Sequence, residues 1–305
     1  MSDALSTAAR KDARTRVGAR KSLPARWWSG LRNFVRNKPL GAAGGLIVVL
    51  LIFTGIFADA LAPYRYDEFD VRNRLKGMSA EHPFGTDEQG RDVFSRVIYG
   101  ARTSVLIGFG AVAVGVAIAS LIGIVSGYFG GAVDVLIQRI IDIWMSFPNL
   151  VFLIFVIAIF QRSTAVLVIT LGLLVAAGSS RIVRSVVISI REAQYIEAAR
   201  ALGASHLRIL LRHITPNVVP IIIVTASVHI GGVILTESSL SFLGFGPPPP
   251  FPSWGRMLQE SQTQMTSHPN LAVFPGLAIT LVVYAFNMLG DALRDVLDPR
   301  LRGSR

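Results

Sequence analysis

Long apolar stretches separated by short polar ones set the pattern of this chain. Ala42 to Leu61 runs for about twenty residues with one charge, Asp59, near its end. Twenty helical residues at about 1.5 Å each reach across a hydrocarbon core of about 30 Å. Comparable stretches follow at 104–127, 135–160, 164–190, 216–240 and 271–290, which makes six candidate spans. Lipid cannot satisfy an unpaired backbone N–H or C=O, so each crossing segment is expected to be a helix. The alternation of a membrane β-barrel is absent. The pattern predicts an all-α membrane protein. It divides the chain into a basic segment 1–40, a first anchor 41–62, a polar loop 63–103, a five-helix core 104–292 and a tail 293–305.

Composition agrees with this division. The 305 residues are 51% hydrophobic and 16% charged, against about a quarter charged in soluble domains. Mean hydropathy is +0.52. So much apolar surface excludes a disordered chain. With no cysteine, a disulfide scaffold, a thiolate metal site and a cysteine nucleophile are excluded.

The net charge of +11 is a matter of topology. Segments sharing a side with the N-terminus (1–41, 128–142, 181–215, 291–305) hold 21 of the 30 Lys/Arg, and the other side holds 9. Positive loops stay inside, so both termini are expected in the cytoplasm. The excess also favours anionic membrane lipid, and nucleic acid is not an expected partner. Phe57 to Ala62 looks like a cleavage site. The apolar run before it is longer than a signal peptide's, and a 40-residue basic leader precedes it, so an uncleaved anchor is expected.

Catalytic motifs are missing. None of Lys11, Lys21, Lys38 and Lys76 stands between a glycine and a Ser or Thr, so there is no Walker A loop. HExxH and GxSxG are also absent. No catalytic, cofactor-binding or metal-ligating residue is expected, and this chain by itself is not expected to be an enzyme. His229, alone in the fifth span, reads as a packed or interhelical histidine. Arg139 and Asp142 are suited to pairing along a helix. Gly123, Gly127 and Gly131 at i, i+4 and i+8 either let a second helix approach closely or reflect ordinary glycine enrichment in membrane helices.

The informative polar segment lies between the fourth and fifth spans. Residues 191–202 favour helix, with Ile196, Ala199 and Leu202 about one turn apart. Gly203 is suited to end that helix in a left-handed cap. A second helix begins near Ser205 and runs through Leu207, Leu210 and Leu211 to Pro216. Short alanines beside Glu197 and Arg200 allow a partner to approach and pair charges. The plainer alternative is an interfacial helix-turn-helix.

Glu197-Ala198-Ala199, three residues, Gly203, twelve residues and Pro216 resemble the EAA loop of ABC importer permeases. His213 and Thr215 stand where that family usually has Ile and Leu. Three further stretches resemble the C-type permease of the dipeptide/oligopeptide/nickel importers: His82 to Asp87 with Gly90-Arg91-Asp92; Glu237 to Gly244 with Pro252 to Gly255; and Phe274 to Leu277 with Leu297 to Arg300. The resemblance covers nearly the whole chain. It implies six transmembrane helices of the ABC importer permease type in the bacterial inner membrane. It also implies that Glu197, Ala198, Ala199, Arg200 and Gly203, within 191–216, couple to an ATPase. The implied partners are a second homologous permease, one or two cytoplasmic ABC ATPases that bind ATP and magnesium, and a periplasmic solute-binding protein. The implied cargo is a di- or oligopeptide, or else a nickel chelate, glutathione or another small solute.

The remaining polar stretches carry expectations of their own. Val93, Phe94, Val97, Ile98 and Ala101 share one helical face, with Asp92, Ser95, Arg96 and Arg102 elsewhere, which suits a helix over 92–102 lying in the outer interface. Asp87, Glu88 and Asp92 lack calcium-loop spacing and read as caps and surface charge. Glu237 either faces a substrate path or is held by the serines that follow it. Pro247 to Pro250 are expected to be stiff and extended, as a connector or as part of an external mouth. A secondary transporter would call for broken, repeated helices at mid-membrane, and a membrane enzyme for clustered His or carboxylates; neither pattern stands out.

Overall fold

The computed structural model describes residue 32 and residues 34–297; most of the basic segment and the Asp298-Pro299-Arg300 stretch lie outside it. The regular elements among the described residues are helices, with one isolated bridge between Thr86 and Asp92. In order come α1 (Pro39–Ile56), α2 (Ala58–Leu61), α3 (Val93–Phe129), α4 (Gly131–Met145), α5 (Asn149–Phe160) and α6 (Thr164–Arg191). Then follow α7 (Gln194–Ala201), α8 (His206–Ile209), a π-helical turn (Leu210–Ile214), α9 (Thr215–Phe242), α10 (Trp254–Glu260) and α11 (Asn270–Leu297). Among the described residues five stretches are long and apolar enough to cross a membrane, α1, α3, α6, the continuous run His206–Phe242, and α11, and the bent pair α4–α5 makes a sixth if it is one span.

The sixth expected span differs. Residues 135–160 are not one helix, because α4 and α5 meet at an 85° bend. The break falls at Ser146-Phe147-Pro148, where proline disfavours helical backbone in the residue before it. Asp134 forms an ion pair with Arg184 of α6, and Asp142 with Arg181. The expected Arg139–Asp142 pair is present but longer, at 3.8 Å.

A second correction concerns α3. The helix expected over 92–102 is continuous with the span that follows, giving 37 residues. Asp92 caps its start by accepting from the Ser95 N–H at 2.7 Å. Ser95 and Arg96, expected on a wet face, are buried because the preceding loop and α10 cover them. Arg96 is 2% exposed, and it reaches Glu260 at 3.1 Å and Asp87 at 3.6 Å. Arg91 joins the same carboxylates, at 2.8 Å and 2.6 Å. A buried cation persists only with such compensation.

Small residues bring α3 onto α6. Ala111, Gly115, Ala119, Gly123 and Gly127 recur every fourth position and are buried. A Cβ on Gly115 would stand 2.6 Å from the Gly172 carbonyl oxygen, and one on Gly123 equally close to that of Ser180. Backbones meet here without intervening side chains, which favours dispersion contact where lipid removes the hydrophobic drive. Gly131 does not extend the stripe. It lies past the end of α3 with φ +54°, and nothing is within 4 Å of its Cβ position. α1 packs antiparallel on α11 through Gly41 and Gly44, which face Ala292 and the Ala285 carbonyl. Lys38 pairs with Asp295 at the end of that contact. The central core joins Ile107, Leu153, Leu171, Ile234 and Phe286.

Candidate functional site

The segment between α6 and α9 forms a hairpin at one end of the bundle. α6 stops at Arg191, so α7 begins at Gln194, later than the sequence suggested. Ile196 is the buried residue of α7. The helix ends as the glycine required: Gly203 has φ +78°, its N–H donates to the Arg200 carbonyl at 2.9 Å, and Ala204 N–H reaches the Ala199 carbonyl at 3.0 Å. Those two bonds form a Schellman cap. Ser205 then opens α8 by accepting from Arg208 N–H at 3.4 Å.

The second arm does not stop at Pro216. It passes through the π-helical turn, in which Thr215 N–H reaches back to the Leu210 carbonyl, and continues as α9. Proline brings no N–H to the ladder, and the widened turn accommodates its ring near the start of α9. The Asn217 side-chain amide donates to the His213 carbonyl at 2.6 Å. Where the family has Ile and Leu, His213 lies beside Tyr195 with ring centres 6.3 Å apart, and Ile214 makes the inward contact.

Burial separates an anchoring face from a presented one. Ile196, Ile209, Ile214 and Val218 pack with Tyr128, Val183 and Val187. Glu197, Ala198 and Arg200 are exposed, and Ala199 is half-buried. Leu202 is 88% exposed and Leu207 65%, large apolar side chains at the tip of the hairpin. Among the described residues Glu197 has no ion-pair partner. Arg200 is engaged within the chain, its guanidinium 5.6 Å from the centre of the Tyr128 ring. The structure therefore brings together all five residues singled out in the loop, but gives Arg200 a second contact. Tyr128 and Arg191, missed in the sequence, complete the base of the hairpin. Their signal was local: an aromatic at a helix end just before Gly130-Gly131, facing an arginine that closes the partner helix.

Glu237 is held by the serines that follow it, the second of the two readings its sequence allows. It is fully enclosed, with Ser241 Oγ donating to it at 2.6 Å and Ser238 Oγ at 3.5 Å. The serine hydroxyls and the start of α10 close over it. A Cβ on Gly255 of α10 would lie 2.0 Å from the Ser238 carbonyl oxygen. His229 is interhelical, its Nε2 lying 3.1 Å from Ser179 Oγ on α6. Pro247 to Pro250 are non-helical as expected, but form bends and a turn rather than an extended rod.

Comparison with known proteins decides the family. The sequence model for the binding-protein-dependent transport system inner membrane component matches residues 119–303, and that for the N-terminal TM domain of oligopeptide transport permease C matches residues 26–77. The chain belongs to the binding-protein-dependent transport permeases. The dipeptide transport system permease protein DppC of Alkalihalophilus pseudofirmus is 42% identical to this permease over 276 residues, 90% of each chain. The glutathione transport system permease protein GsiD of Pectobacterium atrosepticum is 41% identical over 283 residues, 92% of this chain and 94% of its own. GsiD of Escherichia coli O6:K15:H31 is 43% identical over 278 residues, 91% of each. The permease is thus a multi-pass protein of the bacterial inner membrane and a C-type subunit.

Proposed function

We propose that this permease forms half of the transmembrane pore of an ABC importer for di- and oligopeptides, with a second homologous permease as the other half. The observation that carries the reading is the hairpin. It presents Glu197, Ala198 and Leu202 outward while Ile196, Ile209 and Ile214 fix it to the bundle. Such a rigid, partly apolar knob suits a groove on a cytoplasmic ATPase. ATP and magnesium are bound and consumed on that partner, of one kind or two, and a periplasmic binding protein delivers the cargo. The charge asymmetry supports placing both termini and the hairpin in the cytoplasm. Closure of the ATPase pair then moves the hairpin, and the helices switch between two packed arrangements.

Peptide cargo is supported by the dipeptide permease relative, and glutathione, itself a short peptide, by relatives of equal similarity. Affinity purification of the tagged chain from native membranes in mild detergent, followed by mass spectrometry, tests the assembly. A second permease and a Walker-motif ATPase are expected, and a co-purifying binding protein then supplies the means to screen peptides. Recovery of the chain alone, persisting after crosslinking, overturns the reading.

A further inference from the structure

The isoleucine contacts of the hairpin are non-directional, and apolar surfaces of this kind resist separation without fixing direction. Tyr128, the penultimate residue of α3, supplies directional contacts. Its hydroxyl shares a hydrogen bond of 2.7 Å with Nδ1 of His206, the first residue of α8. Its ring lies under Arg200 of α7 at 5.6 Å. Tyr128 is therefore gripped by both arms of the hairpin, on either side of the Gly203 turn. Arg191, closing α6, donates to the Tyr128 carbonyl at 3.3 Å. The tyrosine is 4% exposed, so the grip is built into the base of the hairpin.

Beyond Tyr128 the chain turns sharply at Gly130 and Gly131, with φ of +65° and +54°. Displacement at Tyr128 is thus not continued into α4 as one helix; it runs along α3. The other end of that helix is also fastened. Trp254 Nε1 donates to the Val97 carbonyl at 3.0 Å, Thr103 Oγ1 to that of Pro252 at 2.8 Å, and Arg96 pairs with Glu260. A helix of 37 residues, about 55 Å long, joins the two fastenings.

We propose that the Tyr128–His206 pair is the link through which movement of the hairpin is passed to α3, making both side chains positioning residues for transport. The proposal rests on the reading of the hairpin as the ATPase-docking element. Tyr128 is buried away from the presented surface of Glu197, Ala198 and Leu202, whereas His206 is exposed beside Leu207, so docking is read separately, by the crosslink at position 202.

The test uses the complete transporter in vesicles and measures substrate taken up per ATP hydrolysed. Because the chain has no cysteine, Leu202→Cys provides a single crosslinking site that reports ATPase docking independently. Tyr128→Phe removes the hydroxyl and keeps the ring, His206→Ala removes the imidazole partner, and His206→Asn keeps a hydrogen-bonding group near Nδ1. Tyr128→Phe and His206→Ala are expected to crosslink and hydrolyse ATP normally while uptake per ATP falls about fivefold, the equivalent of one hydrogen bond of about 1 kcal/mol. His206→Asn recovers most of the loss, and the double variant is no worse than either single one. Unchanged uptake per ATP in both single variants overturns the link and leaves the docking reading standing. A missing Leu202 crosslink in the otherwise unaltered transporter overturns the docking reading instead. Should Tyr128→Phe fail to assemble, the surface residue His206 decides alone through its Ala and Asn variants.

Discussion

With φ at +78°, Gly203 holds a conformation that costs an ordinary L-residue roughly 1–2 kcal/mol. Nothing lies within 4 Å of its Cβ position, so a side chain there is opposed by the backbone and not by neighbours. Gly203→Val is therefore expected to distort the turn, leave the spans inserted and abolish ATP-driven uptake. Gly203→Asn, which tolerates the left-handed region, is expected to retain most of it. Uptake assays with protease protection as the insertion control distinguish these outcomes, and normal uptake in the valine variant contradicts the role given to the turn. Glu237 makes a different case. Replacing it with leucine leaves the Ser241 and Ser238 hydroxyls without their buried acceptor, at about 1–3 kcal/mol, whereas glutamine keeps one. Thermal unfolding in detergent should show a clear loss for Glu237→Leu and a smaller one for Glu237→Gln. Equal melting of Glu237→Leu and the parent would show that the carboxyl does not hold this corner together.

Between elements, α3 and α6 share the most extensive joint among the described residues. A side chain at Gly123 would start 2.6 Å from the Ser180 carbonyl oxygen and 2.7 Å from Val183 Cβ. Backbone cannot yield as a flexible side chain can, so Gly123→Leu is expected to destabilise by at least the 1–3 kcal/mol typical of overpacking. A lowered melting temperature measures it, and an unchanged one argues that the helices do not meet as described. The positions of the spans were legible in the sequence because lipid enforces helix and leaves a long apolar signature. The hairpin was legible too, since Gly203 and Ser205 carry their capping chemistry locally. The continuity of α3 was not. Ser95 and Arg96 look like surface residues until a loop and α10, distant in sequence, cover them. The α4–α5 bend was missed although Ser146, Pro148 and Asn149 interrupt the apolar run there, because the long apolar stretches on either side read as one span. What holds α4 in place is tertiary, the Asp134–Arg184 and Asp142–Arg181 pairs. Asp134→Asn is expected to loosen α4 from α6, and exchanging the charges of Asp134 and Arg184 to restore the contact. Cysteine crosslinking between the two helices reads both effects, and equal crosslinking in Asp134→Asn removes the pair from the explanation.

Across the described residues, one end of the bundle carries the hairpin, and the other carries the Asp87–Arg91–Arg96–Glu260 network, whose two arginines are buried. Large apolar residues such as Leu50, Val151, Phe155 and Tyr284 remain exposed on a single chain, as a surface facing lipid or another permease demands. The two ends are joined by α3, so the molecule is built to relate an event at the hairpin to the packing at the far end. This chain is expected to transport only as part of an ATP-driven, binding-protein-dependent assembly. The most direct measurement is uptake of a labelled dipeptide by vesicles containing the complex purified through this chain, with its binding protein outside and ATP inside. Uptake that requires both ATP and the binding protein, and survives dissipation of ion gradients, is the expected result. Uptake that proceeds without ATP and collapses with the ion gradient would contradict the account.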